Sequence, residues 1–146
     1  VPPVLEALFK AIEANGLQVE GIYRISGRVT EVQELRARVE QSLASTDLLS
    51  PDWDIHAIAG LAKTYLRELP EAVCPFTVKE RAEYAAQPDD DTRLLLLQNR
   101  VQSLPPAHQD TLRRLLDHIA LVAQHASTNK MVVYNLSRIF GPILFS

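Results

Sequence analysis

The sequence holds a single cysteine, Cys74, so no disulfide can close within the chain and no zinc site can be built on paired thiolates. That suits a reducing compartment. Long apolar runs are missing as well: the four leucines Leu94 to Leu97 are typical, far short of the roughly 20 residues a helix needs to cross a bilayer. No basic stretch followed by an apolar segment opens the chain, so no secretory signal is expected. Positive charge is not in excess. Lys and Arg number 15 against 18 Asp and Glu, a net charge of −3, which argues against a generic nucleic-acid binder but leaves room for a local basic patch. No stretch alternates apolar and polar residues between turn signals as a half-buried strand would. What remains is 146 residues, 47% apolar and 23% charged, the size and composition of one globular domain with its own core.

The apolar periodicity is helical almost throughout. Leu5, Leu8, Phe9 and Ile12 recur at helix spacing between Pro2-Pro3 and Asn15-Gly16, which predicts a helix over 3–15 with Gly16 in the left-handed position after its end. Residues 17–27 carry two glycines and no helical stripe and are read as an ordered loop. Thr30 and Gln33 have the spacing of a capping box for a helix carrying Val32, Leu35, Val39 and Leu43. Asp54 opens the strongest amphipathic helix, with Ile55, Ile58, Ala62, Tyr65, Leu66 and Leu69 as its stripe, and Pro70 ends it. Further helices are predicted over 77–86, from Pro88 and Asp89 to Gln102, and from Pro105 to His125. Asn129 is expected to cap a last one from Lys130 to Phe140, stopped by Gly141-Pro142. The class is all-α: a bundle of about seven helices with mostly antiparallel neighbours.

Several chemistries fail on spacing. Gly16 and Gly21 match the glycines of a phosphate-binding loop, but Ile22-Tyr23 replaces the lysine and hydroxyl residue that must follow. His118 and His125 lack a carboxylate or thiol at ligand spacing and read as surface or half-buried side chains. Asp89 to Asp91 read as a solvated helix start. Ser26 has no base nearby in sequence.

Three features exceed packing. Glu20 to Gly27 is an apolar loop with glycines near both ends; if Ile22 and Ile25 point inward, Arg24 is presented outward. Its planar fork then either meets phosphate oxygens or ties the loop to a neighbouring helix through carbonyls. Lys63 and Arg67 are four apart on the strongest helix, off its core stripe and one turn past Gly60. They form either a docking edge or a solvated one. Asn135 lies among Val132, Val133, Leu136 and Ile139, and its amide needs a partner, internal or external.

Five blocks together give the chain a family likeness: Glu20 to Gly27, Leu61 to Glu71, Leu104 to Pro106, Asn129 to Met131 and Asn135 to Pro142. In order and distance they resemble the RhoGAP domain, the GTPase-activating domain for Rho-family small GTPases, over nearly the whole chain. The resemblance implies an all-helical domain over residues 1–146. It implies that Arg24 is the catalytic arginine finger, and that Lys63, Arg67 and Asn135 bind the GTPase. Of the basic pair, Arg67 is the one expected to hold the finger loop's carbonyls. The implied partner is a GTP-bound GTPase of Rho, Rac or Cdc type. The GTP and Mg²⁺ belong to that partner, so neither cofactor nor metal is expected here. The implied setting is the cytoplasm, within a larger multidomain protein whose other parts supply any membrane recruitment, with no nucleic acid bound. A helical module that binds such GTPases without activating them is the alternative. Two departures stand out. Ile143 occupies a position where asparagine is usual, and the family domain normally continues through further helices beyond Ser146.

Overall fold

The computed structural model describes residues 1–145, so Ser146, the last residue of the expected domain span, lies outside the described residues. Among the described residues there are eight helices and no strand. Helix α1 (Pro3–Asn15) begins on its proline and buries Leu5, Leu8, Phe9 and Ile12, the face its sequence spacing marks. Helix α2 (Val29–Gln41) buries Leu35 and Val39. Helix α3 (Ile55–Arg67) buries Ile58, Leu61, Ala62 and Leu66, and the Asp54 carboxylate caps it by accepting from the His56 N–H at 3.0 Å. α3 is the centre of the fold, in contact with α1, α2 and the C-terminal helix. Each fully buried Leu, Ile or Phe in this core stabilises the fold by about 1.5–3 kcal/mol.

Helices α4 (Val78–Ala85) and α5 (Asp90–Gln102) pack on each other and contribute no buried residue. They begin on side-chain caps, Thr77 to the Glu80 N–H and Asp89 to the Thr92 N–H. Helix α6 (Pro106–Gln124) buries Leu115, His118 and Val122. A four-residue turn of helix, α7 (Ala126–Asn129), follows, and α8 (Val133–Phe145) closes the described chain, burying Leu136, Phe140 and Ile143.

Four local expectations fail, each because a tertiary contact outweighs a local signal. Gly16 is not left-handed (φ −115°); a Cβ there would stand 2.9 Å from the Ile55 side chain, so the glycine permits close approach to the start of α3. Thr30 caps nothing, because α2 starts two residues earlier, with Arg28 at the cap position and no side-chain cap. The entry is set by Gly27, where a Cβ would lie 2.6 Å from the Ala57 nitrogen, so the chain is pressed against α3 just before the helix begins. Asn129 caps no following helix: it ends α7, Lys130 turns left-handed at φ 65°, and α8 starts three residues later than expected. Gly141-Pro142 does not stop α8. Pro142 costs about 3 kcal/mol inside a helix, and the last turn offsets it by burying Ile143, packing the Phe145 ring against Phe76 and giving the Leu144 carbonyl to the Cys74 N–H at 2.9 Å.

Candidate functional site

The loop from Leu17 to Gly27 is held by its own turns and by α7. The Gly21 N–H donates to the Asn129 carbonyl at 2.8 Å, and the Gly21 carbonyl accepts from both Arg24 and Ile25 N–H at 2.8 Å. Gly21 stands at φ 73°, and a Cβ there would lie 2.6 Å from the Ile25 side chain, so only glycine fits. The buried Asn129 amide reinforces the junction: it donates to the Leu17 and Val122 carbonyls at 2.8 Å each and accepts from the Met131 N–H at 2.7 Å. In sequence Asn129 reads as a helix cap; nothing in its neighbourhood signals a tie back to Leu17, 112 residues away.

Inside this loop the expected orientation is half right. Ile22 is buried, but Ile25 is 44% exposed, and the inward partner is Tyr23, 1% exposed. Tyr23 stands at φ 71°, a conformation that costs a bulky residue about 1–3 kcal/mol and persists only where its surroundings impose it. Here they do. The ring lies edge-on to Phe140 and His118, with centroids 4.9 and 5.6 Å away. The hydroxyl meets His118 Nε2 at 2.6 Å. At the other end of the residue, the Tyr23 carbonyl accepts from Lys63 Nζ at 2.7 Å. His118, expected at or near the surface, is fully buried, because its ring stacks on Phe9 and both nitrogens are engaged.

Arg24, next to this pinned tyrosine, is exposed and makes no hydrogen bond or ion pair among the described residues. It does not tie the loop to a helix through carbonyls. Lys63 does that instead of Arg67: half-buried on α3, its ammonium is pushed below its ordinary pKa by burial and by the nearby Arg67 charge. Arg67, one turn on, is exposed and makes no hydrogen bond among the described residues.

Arg24, Lys63 and Arg67 open on one cleft of about 550 Å³, whose far wall is α8, with Arg138, Ile139 and Ile143. Four cations and no acid line it. The chain's negative balance had hidden this patch. Arg138 was missed in the sequence; the available signal was its place three residues after Asn135, hence on the same helix face. Asn135 does not line the cleft but lies one turn from Arg138 and Ile139, half-buried, and its amide makes no hydrogen bond among the described residues. Ile143, at the position of the expected asparagine, is buried at the cleft's α8 wall. A second groove of about 430 Å³ runs between α2 and α3 and meets the cleft at Lys63 and Arg67. Gly60 lies in it, where a Cβ would touch Val32 at 3.5 Å.

This arrangement can offer charge to an anion but supplies no nucleophile with a base. Among the described residues no group of His, Cys, Asp and Glu could hold a metal ion. No described helix is long and apolar enough to cross a membrane.

Comparison with known proteins bears on the same residues. The family model of the RhoGAP domain matches residues 2–146. Rho GTPase-activating protein 27 of Mus musculus is 37% identical over 146 residues, covering 99% of this chain but 17% of that protein. WW domain-containing protein tag-325 of Caenorhabditis elegans is 35% identical, with 99% and 17% covered. The crystal structure of human Rho GTPase activating protein 15 superposes with a TM-score of 0.90 at 35% identity, over 99% of this chain and 69% of that one. The BH domain from Graf, the GTPase regulator associated with focal adhesion kinase, gives 0.84 at 28% identity, over 97% and 77%. The chain thus spans between about a sixth and a third of the length of the relatives it matches in sequence, and with a family match over 2–146 and this fold it belongs to the RhoGAP family.

Proposed function

We propose that this domain stimulates GTP hydrolysis by Rho-family small GTPases, with Arg24 entering the partner's active site in trans. The observation that supports it most is an exposed arginine, unpaired among the described residues, on a loop whose preceding residue is pinned at both ends, at the mouth of a cleft whose charged lining is all cationic. As the γ-phosphoryl group transfers, charge gathers on its oxygens and on the β–γ bridge, and a guanidinium already fixed in space neutralises it without reorganising. GTP and Mg²⁺ belong to the GTPase. The relatives' greater length supports a larger protein; action in the cytoplasm, with recruitment to membranes by its other parts, goes with the proposed activity.

Phosphate release from GTP-loaded Rho-, Rac- and Cdc-type GTPases, with and without the domain, is the test. Acceleration by substoichiometric domain is the expected result. Binding with no acceleration would make this a non-catalytic GTPase-binding module, and GTP turnover with no GTPase present would make it a hydrolase.

The unpaired amide of Asn135, one helical turn from the cleft, is assigned to the GTPase-binding surface. Asn135→Ala should raise the Kd for the GTP-bound partner about tenfold, the order of one good interfacial hydrogen bond. Its melting temperature should stay at the wild-type value. A titration together with a circular-dichroism melt checks both; a lower Tm with unchanged Kd would show a structural amide instead.

A further inference from the structure

Behind the loop runs a chain of polar contacts that the cleft does not use. Tyr23 Oη meets His118 Nε2 at 2.6 Å, and His118 Nδ1 meets Glu13 Oε2 at 2.6 Å. Glu13 is held in turn by both terminal nitrogens of Arg114, at 2.8 and 3.1 Å, and Arg114 Nε reaches Glu6 at 2.7 Å. The groups come from the loop, from α1 and from α6, so the chain spans three elements. Phe9 and Phe140 close it against the core, one stacked on the His118 ring and the other edge-on to the Tyr23 ring.

Proton positions follow from the partners. Burial, then hydrogen bonding, governs Glu13: desolvation raises its pKa, but Arg114 and His118 outweigh that and hold it below its ordinary value, so it is a carboxylate and can only accept. His118 therefore donates from Nδ1. Burial keeps the imidazole below its ordinary pKa, hence neutral near pH 7, which leaves Nε2 as an acceptor. The Tyr23 phenol, its pKa raised well by burial, supplies the proton for that last bond. Every member of the chain has one role available to it, and the roles run in a single direction from Tyr23 to Glu13.

We propose that the Tyr23–His118–Glu13 chain positions the finger: it fixes the ring of the residue before Arg24 and so sets the direction in which Arg24 leaves the loop. A phenylalanine could fill the same space, so the ring alone does not require the hydroxyl. What the hydroxyl adds is a directed anchor opposite the Lys63 contact to the same residue's carbonyl. With both ends of Tyr23 held, its left-handed backbone has little freedom, and Arg24 inherits that order. The inference rests on the proposed finger role of Arg24.

Tyr23→Phe in the full chain removes one oxygen and nothing else. Measured by single-turnover GTP hydrolysis against domain concentration, the maximal rate should fall about fivefold while the half-saturating concentration stays within about twofold. Thr77→Ala is the control. It deletes the cap of α4, which lies outside the loop and does not line the cleft, for a stability loss of the same order as one hydrogen bond. Both variants should melt lower than wild type, and only Tyr23→Phe should lose rate. If Tyr23→Phe keeps the wild-type rate, or if Thr77→Ala loses as much, the chain is a stabilising feature only and the inference is overturned. Wild-type protein in the same assay separates the two proposals: no stimulation by wild type sinks the finger role and this inference with it, whereas full stimulation by wild type and by Tyr23→Phe alike sinks this inference alone.

Discussion

Arg24→Ala should lower the maximal stimulated rate of GTP hydrolysis by about three orders of magnitude, roughly 4 kcal/mol of transition-state stabilisation. Binding to the GTP-bound partner should change little. The reason is where and when the charge appears. Before transfer, the phosphates are already neutralised within the GTPase, so the guanidinium gains little from the ground state. In the transition state, negative charge moves to oxygens that a fixed planar fork can meet two at a time. The side chain has no hydrogen-bond or ion-pair partner among the described residues to lose on entering the complex, so the substitution should leave the domain's fold and melting temperature intact. Arg24→Lys should recover only a small part of the rate, because an ammonium offers a point charge in place of two parallel donors. Single-turnover rates at saturating domain decide the matter, with a binding titration alongside. An alanine variant that keeps most of its rate would remove Arg24 from the chemistry.

The fold class and most helix limits were legible in the sequence because they rest on local periodicity and on proline positions. α1, α3, α5 and α6 begin and end within a residue or two of where their apolar spacing places them. What was not legible depends on residues far apart. Pro142 sits inside α8 because Ile143 is buried and Leu144 and Phe145 have partners in Cys74 and Phe76, which no local rule contains. In sequence Asn129 reads as a cap and His118 as a surface or half-buried side chain. Each became a buried tie to the N-terminal third of the chain, across 112 and 105 residues.

The site divides in the same way. Arg24 stood out as a cation in an apolar loop, and Lys63 and Arg67 as a pair on one helix face. Sequence could not tell which of the pair turns inward. The guanidinium's two-acceptor fork suggested Arg67, but register decides otherwise. Lys63 is one turn nearer the middle of α3, level with Tyr23, and a single carbonyl needs only one donor.

That division of labour makes the two cations separable by experiment. Lys63→Met keeps the apolar stem and removes the ammonium. The Tyr23 carbonyl then loses its only side-chain donor among the described residues, and a backbone held at φ 71° loses one of its two anchors. Misplacement of a reacting group by about 1 Å costs on the order of a hundredfold in rate, so the maximal rate should drop about a hundredfold, with a smaller change in half-saturation. Arg67→Ala touches no hydrogen bond among the described residues. It removes an exposed charge from a cleft with no acid of its own, so its effect should fall on association with an acidic partner. The Kd should rise about tenfold at low salt, and the difference from wild type should shrink as salt screens the interaction. The maximal rate should persist. Single-turnover hydrolysis against domain concentration, at two ionic strengths for both variants, distinguishes the roles. Rate loss in Arg67→Ala with an unchanged rate in Lys63→Met would reverse the assignment, and no change in either would make the pair a solvated edge of α3.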